Sequence, residues 1–327
     1  MNKIKKGKDY KVVVIGGGTG LSVLLRGLKE YTTNITAIVT VADDGGGSGV
    51  LREDLGMLPP GDIRSCLLAL ANTEPTMEKL LQYRFKEGNL KGQSFGNLFI
   101  AAMDGIYGNF EMAIKETSNV LKITGKVLPV TLDNVSLIAH LDDGTIVEGE
   151  SKIPLVVREK RAKILKISMH PELSYPLKES LESIQEADLI VLGPGSLYTS
   201  IIPNLLVKNM IEYIDKAKAP VAYICNVMTQ PGETDNYSVL DHVEAILEHT
   251  HQGFINYVVA NTEMVPKEVL QKYSYDGAIP VYPLKGEERE LKREKIKLIE
   301  GKLIDVKKEY IRHESLLLSK LLIDLIK

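Results

Sequence analysis

The sequence has few cysteines and no long apolar run. Cys66 and Cys225 are the two cysteines among 327 residues, and they stand far apart in no C-x-x-C arrangement. Two isolated thiols argue against a disulfide scaffold or a zinc knuckle and fit a reducing compartment. The apolar run at residues 12–15 stops at three glycines, so we predict neither a signal peptide nor a membrane span. A cytoplasmic location is therefore expected.

Charge of one sign is not in excess either. The 40 Lys and Arg residues against 43 Asp and Glu residues leave a formal net charge of −3. This near-balance gives no reason to expect nucleic acid or an anionic membrane as a partner. The six histidines show no spacing typical of metal ligands. What remains is the composition of an ordinary globular protein, with 44% hydrophobic residues.

Apolar runs alternate with helical patterns along most of the chain. After the first apolar run, four leucines recur at i, i+3, i+4 and i+7, the spacing of one helix face: Leu21, Leu24, Leu25 and Leu28. Further strands are predicted at residues 35–41, 188–192, 220–225 and 255–260. Because parallel neighbours need a helical crossover, this rhythm predicts an α/β fold. We expect a doubly wound, mostly parallel, Rossmann-like sheet with helices on both faces.

Three segments depart from this rhythm. Residues 125–167 alternate apolar and polar side chains around a good hairpin turn at 142–144, which predicts a small antiparallel β insertion within a single nucleotide-binding domain, residues 1–327. Residues 285–308 are rich in Lys, Arg and Glu, which predicts a solvated surface. An amphipathic helix is predicted at residues 314–326, and its leucines could pack on the sheet or form a face of a homo-oligomer: Leu317, Leu321 and Leu325.

The first glycine run, residues 16–20, follows the first strand and opens a helix. Its glycines would let the backbone approach a phosphate, and the helix would offer free N–H groups at its positive end. Position 21 is Leu21, so the dinucleotide fingerprint G-x-G-x-x-G is incomplete, and no Lys-Ser/Thr pair completes a Walker A loop. The run predicts a phosphate cradle, with a purely structural tight turn as the alternative.

Carboxylates follow the second predicted strand. Asp43 and Asp44 would fall at the carboxyl edge, where open α/β sheets bind ligands, and the glycine-rich residues after them could fold over a ligand. Paired carboxylates there can bind Mg²⁺ beside phosphates or accept a proton from a hydroxyl. Asp62 and Arg64 stand at a helix start. Asp62 could serve catalysis or be an ordinary N-cap, and Arg64 could pair with a phosphate or with the aspartates.

A second glycine run at residues 192–200 follows another strand. Its backbone N–H groups and the hydroxyls of Ser196, Thr199 and Ser200 would form a second anion nest, and two nests at strand ends of one sheet suit a diphosphate. Glycine is missing two residues after Ser196, which argues against a nucleophile elbow and a serine hydrolase. The polar loop at residues 226–235 could form hydrogen bonds with the edge of a base or sugar. The alternative is a surface loop with a Pro-Gly turn and no role in binding.

These runs together resemble one family, the bacterial gluconeogenesis factors of the YvcK type, which are related to the 2-phospho-L-lactate transferases. The resemblance rests on the runs GGGTGLSVLLRGLK, VADDGGGSGVLRED, PPGDIRSCLLALA, FGNLFIAAM and LGPGSLYTSIIPNLLV, in this order. The resemblance implies one of two kinds of activity. The transferases bind a guanosine nucleotide and a divalent metal, and they move a phospholactyl group onto a flavin-like hydroxyl. The YvcK-type proteins are associated with gluconeogenic growth, cell shape and wall synthesis. They bind UDP-sugars such as UDP-N-acetylglucosamine, with no established reaction. The NVMTQPGET run resembles this second group.

The resemblance also implies roles for individual residues. It implies no required cofactor, with Mg²⁺ expected only if the protein is a transferase. Gly17, Gly18 and Thr19 would line the phosphate or sugar region. Asp44 would stand near metal and acceptor, and Asn97 would point into the same cleft. The diphosphate would be held by Gly195, Ser196 and Leu197. The nucleoside would be contacted by Asn226, Thr229 and Glu233.

Three functions remain open at this point. The first is a regulatory nucleotide-sugar sensor, whose ligand changes a surface that a cell-wall synthesis protein recognises. The second is a metal-dependent phospholactyl-type transferase in which Asp44 or Asp62 helps to activate an acceptor hydroxyl. The third is a nicotinamide-dependent oxidoreductase, suggested by the opening strand–helix–strand unit and weakened by Leu21.

Overall fold

The computed structural model describes residues 9–307 and 310–327. The strands are β1 Val12–Gly16, β2 Ile35–Val39, β3 Lys126–Pro129, β4 Ser136–Leu141, β5 Ile146–Glu148, β6 Ile164–His170, β7 Leu189–Leu192, β8 Val221–Ile224, β9 Tyr257–Asn261, β10 Lys297–Gly301, β11 Ile304–Lys307 and β12 Tyr310–His313. The helices are α1 Gly18–Leu28, α2 Gly46–Leu55, α3 Gly61–Leu70, α4 Pro75–Gln82, α5 Phe95–Tyr107, α6 Phe110–Leu121, α7 Ile153–Lys160, α8 Lys178–Gln185, α9 Ile202–Leu206, α10 Met210–Lys216, α11 Val239–His249, α12 Lys267–Asp276, α13 Glu287–Arg293 and α14 Ser315–Asp324.

Seven strands form one sheet in the order β10-β9-β8-β7-β1-β2-β3, and its neighbouring strands pair in parallel. The chain runs outward from β1 to β3 on one side and from β7 to β10 on the other. The strand order therefore reverses between β1 and β7, and the carboxyl ends of these two strands flank the switch point where doubly wound sheets bind ligands. The predicted fold class is confirmed.

The central strands are buried on both faces, as a parallel sheet covered by helices requires. Every residue of β1, β7 and β8 is buried. The helix face predicted for α1 is confirmed, because its four leucines are fully buried. Helix α11 begins with a capping box, with reciprocal bonds between Ser238 and Asp241.

The predicted antiparallel insertion is present, but its bounds shift. Strands β5, β4 and β6 form a three-stranded antiparallel sheet, and Gly144 takes a φ of +83° in the turn between β4 and β5. The first strand of the region, β3, instead pairs in parallel with β2, because helix α6 brings the chain back across the main sheet. The insertion extends to His170, at the end of β6, and includes helix α7 between β5 and β6.

The prediction that residues 285–308 form only a solvated surface is wrong. The segment contains α13 and the edge strand β10, which pairs with β9. Leu291 is fully buried, and Ile296 and Leu303 are each 2% exposed. These three apolar side chains, spaced among many charges, anchor the segment, so charge density alone was misleading here. Residue 308 lies outside the described residues.

Helix α14 is present, and its buried face is offset from the predicted one, although Leu321 and Leu325 are partly buried against the core. Leu318 and Leu322 are fully buried, whereas Leu317 is 51% exposed. The helix packs closely on α1, since a Cβ on Gly27 would stand 2.1 Å from the Ser315 carbonyl oxygen. Its buried face is therefore used inside the chain. No helix in the described ranges is long and apolar enough to cross a membrane.

Candidate functional site

The first glycine loop leads from β1 into α1. Helix α1 begins at Gly18, its N-cap Gly17 is extended, and no side chain caps it. Gly18 takes a φ of +71°, a left-handed conformation that favours glycine. The first turn of α1 thus presents backbone N–H groups at the carboxyl end of β1, where the positive end of the helix favours an anion.

The second glycine loop follows β7 and touches the first. A Cβ on Gly20 would lie 2.7 Å from the Pro194 carbonyl oxygen, and one on Gly195 would lie 3.1 Å from the Gly17 carbonyl oxygen. The two loops line one cleft of about 620 Å³ with Gly17, Gly18, Thr19, Gly195 and Ser196 along its wall. The structure thus brings both predicted phosphate loops together at the switch point of the sheet.

Part of the predicted second nest is occupied by the protein itself. Thr199 Oγ1 donates to Glu233 Oε1 at 3.2 Å, and the backbone N–H groups of Tyr198 and Thr199 also donate to the Glu233 carboxylate. Residues 197–201 form a π-helical turn that carries the Leu197 side chain into the core, fully buried. The hydroxyl of Thr199 and the side chain of Leu197 therefore do not line the cleft.

The polar loop after β8 closes one side of the same cleft. Asn226, Thr229 and Glu233 all line it. Asn226 Nδ2 donates to Gln230 Oε1 at 3.3 Å, and Gln230 Nε2 donates to Ser196 Oγ at 2.7 Å, so this loop is tied to the second glycine loop. Thr229 Oγ1 accepts the Ile279 N–H at 2.9 Å, which engages that hydroxyl in the fold.

Sequence reasoning missed the far wall of the cleft. This wall comes from α12, the segment after it and β12, and it includes Tyr273, Asp276, Ala278, Tyr310, Arg312 and His313. His313 Nε2 lies 3.2 Å from the Cys225 carbonyl oxygen, and burial lowers the pKa of His313 to about 4. Its imidazole is therefore neutral at pH 7. No local pattern could show that strand β12 returns to the end of β8, because that contact is set by tertiary packing.

The aspartates that follow β2 lie at the sheet edge as predicted. Asp43 Oδ1 accepts the Gly45 N–H at 2.9 Å, and Asp44 Oδ1 accepts the Ser151 N–H at 2.8 Å. The glycines that were expected to fold over a ligand belong to a helix, because Gly46–Leu55 is α2. These carboxylates thus stand at a helix N-terminus.

Asp62 connects the aspartates with the first glycine loop. It lies inside the first turn of α3, whose N-cap is Pro60, so Asp62 is not an N-cap. Its carboxylate accepts the Gly18 N–H, and a Cβ on Gly17 would lie 2.5 Å from Asp62 Oδ2. Burial, and to a smaller extent the charge of Asp43, raises the pKa of Asp62 to about 6.

Glu150 is a further carboxyl group of this region that sequence reasoning did not single out. Burial is the largest cause that raises the pKa of Glu150 to about 8, and four neighbouring carboxylates add to it: Asp43, Glu233, Asp44 and Asp62. The burial of Glu233 likewise raises its pKa to about 7. Glu150 therefore lies among carboxylates of the cleft wall and of the end of β2, and this surrounding favours its protonated form.

The metal expected at Asp44 stays a prediction, and the donor set can be compared with what a metal would need. Over residues 9–307 and 310–327, no three His, Cys, Asp or Glu side chains are grouped to hold an ion. Mg²⁺, however, is commonly bound through one or two carboxylates together with substrate phosphates and water. Asp43 and Asp44 fit such a site, since each keeps one carboxylate oxygen beyond its bond to a backbone N–H.

Arg64 belongs to α3 and Asn97 to the first turn of α5. Neither lines the cleft, and the same is true of Asp43, Asp44 and Asp62. Arg64 Nη1 donates to Ser94 Oγ at 2.6 Å rather than to the aspartates. Asn97 is 3% exposed, and its Oδ1 lacks a hydrogen-bond partner. The role that the resemblance implies for Asn97 beside Asp44 stays a prediction.

A parallel sheet with two glycine loops in contact at its switch point defines a doubly wound α/β protein with a Rossmann-like ligand cleft. The family model described as 2-phospho-L-lactate transferase CofD matches residues 12–304. Three relatives are informative, and the first is a protein of Thermoanaerobacterium thermosulfurigenes named as a candidate gluconeogenesis factor. It is 56% identical over 97% of both chains. The gluconeogenesis factor of Bacillus subtilis is 49% identical over 98% of this chain and 99% of its own.

The third relative is a crystal structure of a Bacillus halodurans protein. It superposes with a TM-score of 0.91 at 46% identity, covering 96% of this chain and 99% of that one. The chain belongs to the CofD family, among its gluconeogenesis factors.

Proposed function

We propose that this chain is a regulatory protein that binds a nucleotide sugar, of the UDP-N-acetylglucosamine type, in the cleft between its two glycine loops. The observation that carries the proposal is the contact between the loops, which brings residues of both glycine runs to the wall of one cleft. A diphosphate has two anionic groups to match them. The relatives' names support a role in gluconeogenic growth. Cell shape and wall synthesis are the processes we expect it to serve, through a cytoplasmic protein partner.

The rest of the cleft suits the other parts of such a ligand. Tyr273 and Tyr310 offer aromatic surface for a base, and Arg312 offers a guanidinium for a phosphate. The Ser196 hydroxyl, one of those in the second glycine loop, is bonded to the Gln230 amide, which is not a base. This arrangement favours binding over nucleophilic catalysis.

Titration calorimetry tests the proposal. UDP-N-acetylglucosamine is titrated with and without Mg²⁺, against GDP and NAD⁺ as controls. We expect selective binding of the UDP-sugar, weakened at least tenfold by Arg312→Gln. The variant Arg158→Gln removes the same charge from an exposed position on α7 and should bind like the wild type. Absence of binding at millimolar UDP-sugar contradicts the proposal, and preference for NAD⁺ would favour an oxidoreductase.

A metal-dependent phospholactyl-type transferase is the second candidate. It is supported by the family model and by the position of Asp62, which bonds to the first turn of α1 beside Asp43. The test offers a nucleoside diphosphate-linked lactate donor and a deazaflavin acceptor with Mg²⁺. Asp44→Asn should abolish turnover but spare folding, since an asparagine Oδ1 can still accept the Ser151 N–H. No product with metal present removes this candidate.

A further inference from the structure

Two arginines lie close together at the start of α5, away from the cleft. Arg64 Nη1 donates to Ser94 Oγ at 2.6 Å, and Arg84 forms an antiparallel bridge with the same Ser94. The acceptors that these guanidinium groups use are neutral, namely the Ser94 hydroxyl and the Gly92 carbonyl. Burial and then the charge of Arg84 lower the pKa of Arg64, and the charge of Asp62 acts in the opposite direction. Both arginines therefore meet the segment at residues 92–94 through neutral oxygens.

Buried polar atoms around the arginines lack partners. They are Arg64 Nε, Gln93 Oε1 and Asn97 Oδ1. Gln93 is 7% exposed and Asn97 is 3% exposed. Buried N–H and amide groups in folded proteins are nearly always hydrogen-bonded, so each of these atoms points to a missing partner. A rotated amide offers N–H donors in place of its oxygen, which makes both side chains compatible with an anion.

The side chains of Gln93 and Arg64 lie against the first turns of two helices. Gln93 Oε1 stands 2.9 Å from where a Cβ on Gly47 would be, in the first turn of α2. The stem of Arg64 crosses the first turn of α5, because a Cβ on Gly96 would lie 2.6 Å from Arg64 Cδ. Both helices exceed two turns, and their N-terminal ends carry partial positive charge.

We propose that Arg64, Arg84, Gln93 and Asn97 form an oxyanion site that binds the phosphate group of a second small molecule. Two guanidinium groups and two amides supply more donors than a carboxylate can accept, whereas the three oxygens of a phosphate can engage them. Asp62 lies between this site and the first glycine loop, so the second ligand would sit on the other side of Asp62 from the cleft. The inference holds whatever the cleft binds.

Inorganic phosphate is the probe for this site. Thermal unfolding is followed in phosphate and in chloride at equal ionic strength, since a ligand that binds the folded state raises Tm. The wild-type Tm should rise with phosphate concentration. Arg84→Gln changes an exposed residue, and Arg64→Lys keeps the charge but removes Nε. Each should weaken phosphate binding at least fivefold, whereas Arg158→Gln should not.

Three outcomes would overturn the proposal. One is a wild-type Tm that does not respond to phosphate. Another is equal phosphate binding by the wild type, Arg84→Gln and Arg64→Lys. The third is binding that Ser196→Ala abolishes and Arg84→Gln spares, because phosphate would then occupy the cleft. Acetate in a parallel titration should raise Tm less than phosphate does, and an equal rise would contradict the assignment to phosphate.

Discussion

At the residue scale, buried carboxyl groups set the electrostatics of the site. The pKa values of Asp62, Glu150 and Glu233 are raised to about 6, 8 and 7, with burial as the largest cause in each case. A raised carboxyl pKa means that ionisation is easier in the unfolded chain than in the folded one. The free energy of unfolding should therefore fall as pH rises through the window between the unfolded and folded values.

Glu150→Gln tests this coupling directly. For Glu150 the window runs from the ordinary pKa of 4.5 up to about 8. The variant lacks the ionisation, so we expect it to match the wild type near pH 4 and to have the higher Tm at pH 8. The measurement is thermal unfolding across this range in the presence of a chelator. The control is Glu148→Gln, at an exposed position on β5, and a pH-independent Tm difference for Glu150→Gln would contradict the coupling.

Gly20 is the residue at which the two glycine loops come closest. An alanine Cβ there would lie 2.7 Å from the Pro194 carbonyl oxygen, a backbone atom with little freedom to move. Gly20→Ala should therefore separate the loops, cost about 1–3 kcal/mol of stability and weaken cleft binding at least tenfold. Calorimetry with the UDP-sugar and denaturant unfolding measure the two effects. Unchanged binding would show that the ligand does not need both loops.

Gly17 has a second role that its place in the loop does not reveal. A Cβ there would meet Asp62 Oδ2 at 2.5 Å and Thr40 Cγ2 at 2.6 Å. Any larger residue at position 17 should disturb packing as well as ligand approach, so Gly17→Val would not separate binding from folding. Gly20 is the cleaner position because its clash is with the other loop.

At the scale of elements, the contact between α1 and α14 decides which face of the C-terminal helix is buried. Gly27 lets the helices approach closely, with the Ser315 carbonyl oxygen at 2.1 Å and Ser319 Oγ at 2.4 Å from its absent Cβ. Leu318 and Leu322 then turn inward and Leu317 turns outward. The amphipathic pattern predicted the helix correctly but not its rotation, because several leucines are available on both faces.

Gly27→Ala should push the two helices apart. We expect a loss of about 1–3 kcal/mol, since backbone and a buried hydroxyl must move. Gly105→Ala is the matched control: it lies in helix α5 with open space around its Cβ position, and it should stabilise by about 0.5–1 kcal/mol. Denaturant unfolding compares the two. A neutral Gly27→Ala would mean that α14 is loosely held.

At the scale of the whole molecule, the far wall of the cleft belongs to a small cluster of its own. Val227, Met228, Val265, Ala278 and Ile311 form a hydrophobic cluster separate from the main core. The Ile311 N–H donates to Tyr273 Oη at 2.8 Å and ties β12 to α12. Fewer buried side chains hold this unit than hold the central sheet, so it should open locally at lower free energy.

Hydrogen exchange measures that difference. The amide of Ile311 should exchange faster than the amides of Val258 and Val259 in β9. A ligand that fills the cleft should slow exchange at Ile311 in proportion to its saturation, since it binds the closed wall. Tyr273→Phe removes the hydrogen bond and should speed exchange at Ile311 alone. Equal exchange rates at β9 and Ile311 in the free protein would contradict this description.

The sequence by itself determined the elements and most of the sheet edge that carries the site. Short apolar runs followed by helical patterns specify parallel strands with crossovers, and the runs at Gly16–Gly20 and 192–200 predicted loops that the structure places in contact. The prediction succeeded because the carboxyl ends of parallel strands lie at one edge of the sheet, so loops that follow different strands come close together there.

Only the tertiary structure decided what those loops face. It placed Glu233 in the second nest, brought β12 to the end of β8, buried Glu150 among other carboxylates and brought Arg64 and Arg84 to the same serine, Ser94. These arrangements depend on contacts between residues far apart in the chain and on how deeply each charge is buried. Local periodicity carries no information on either, because it records which face of an element is apolar and not what packs against it.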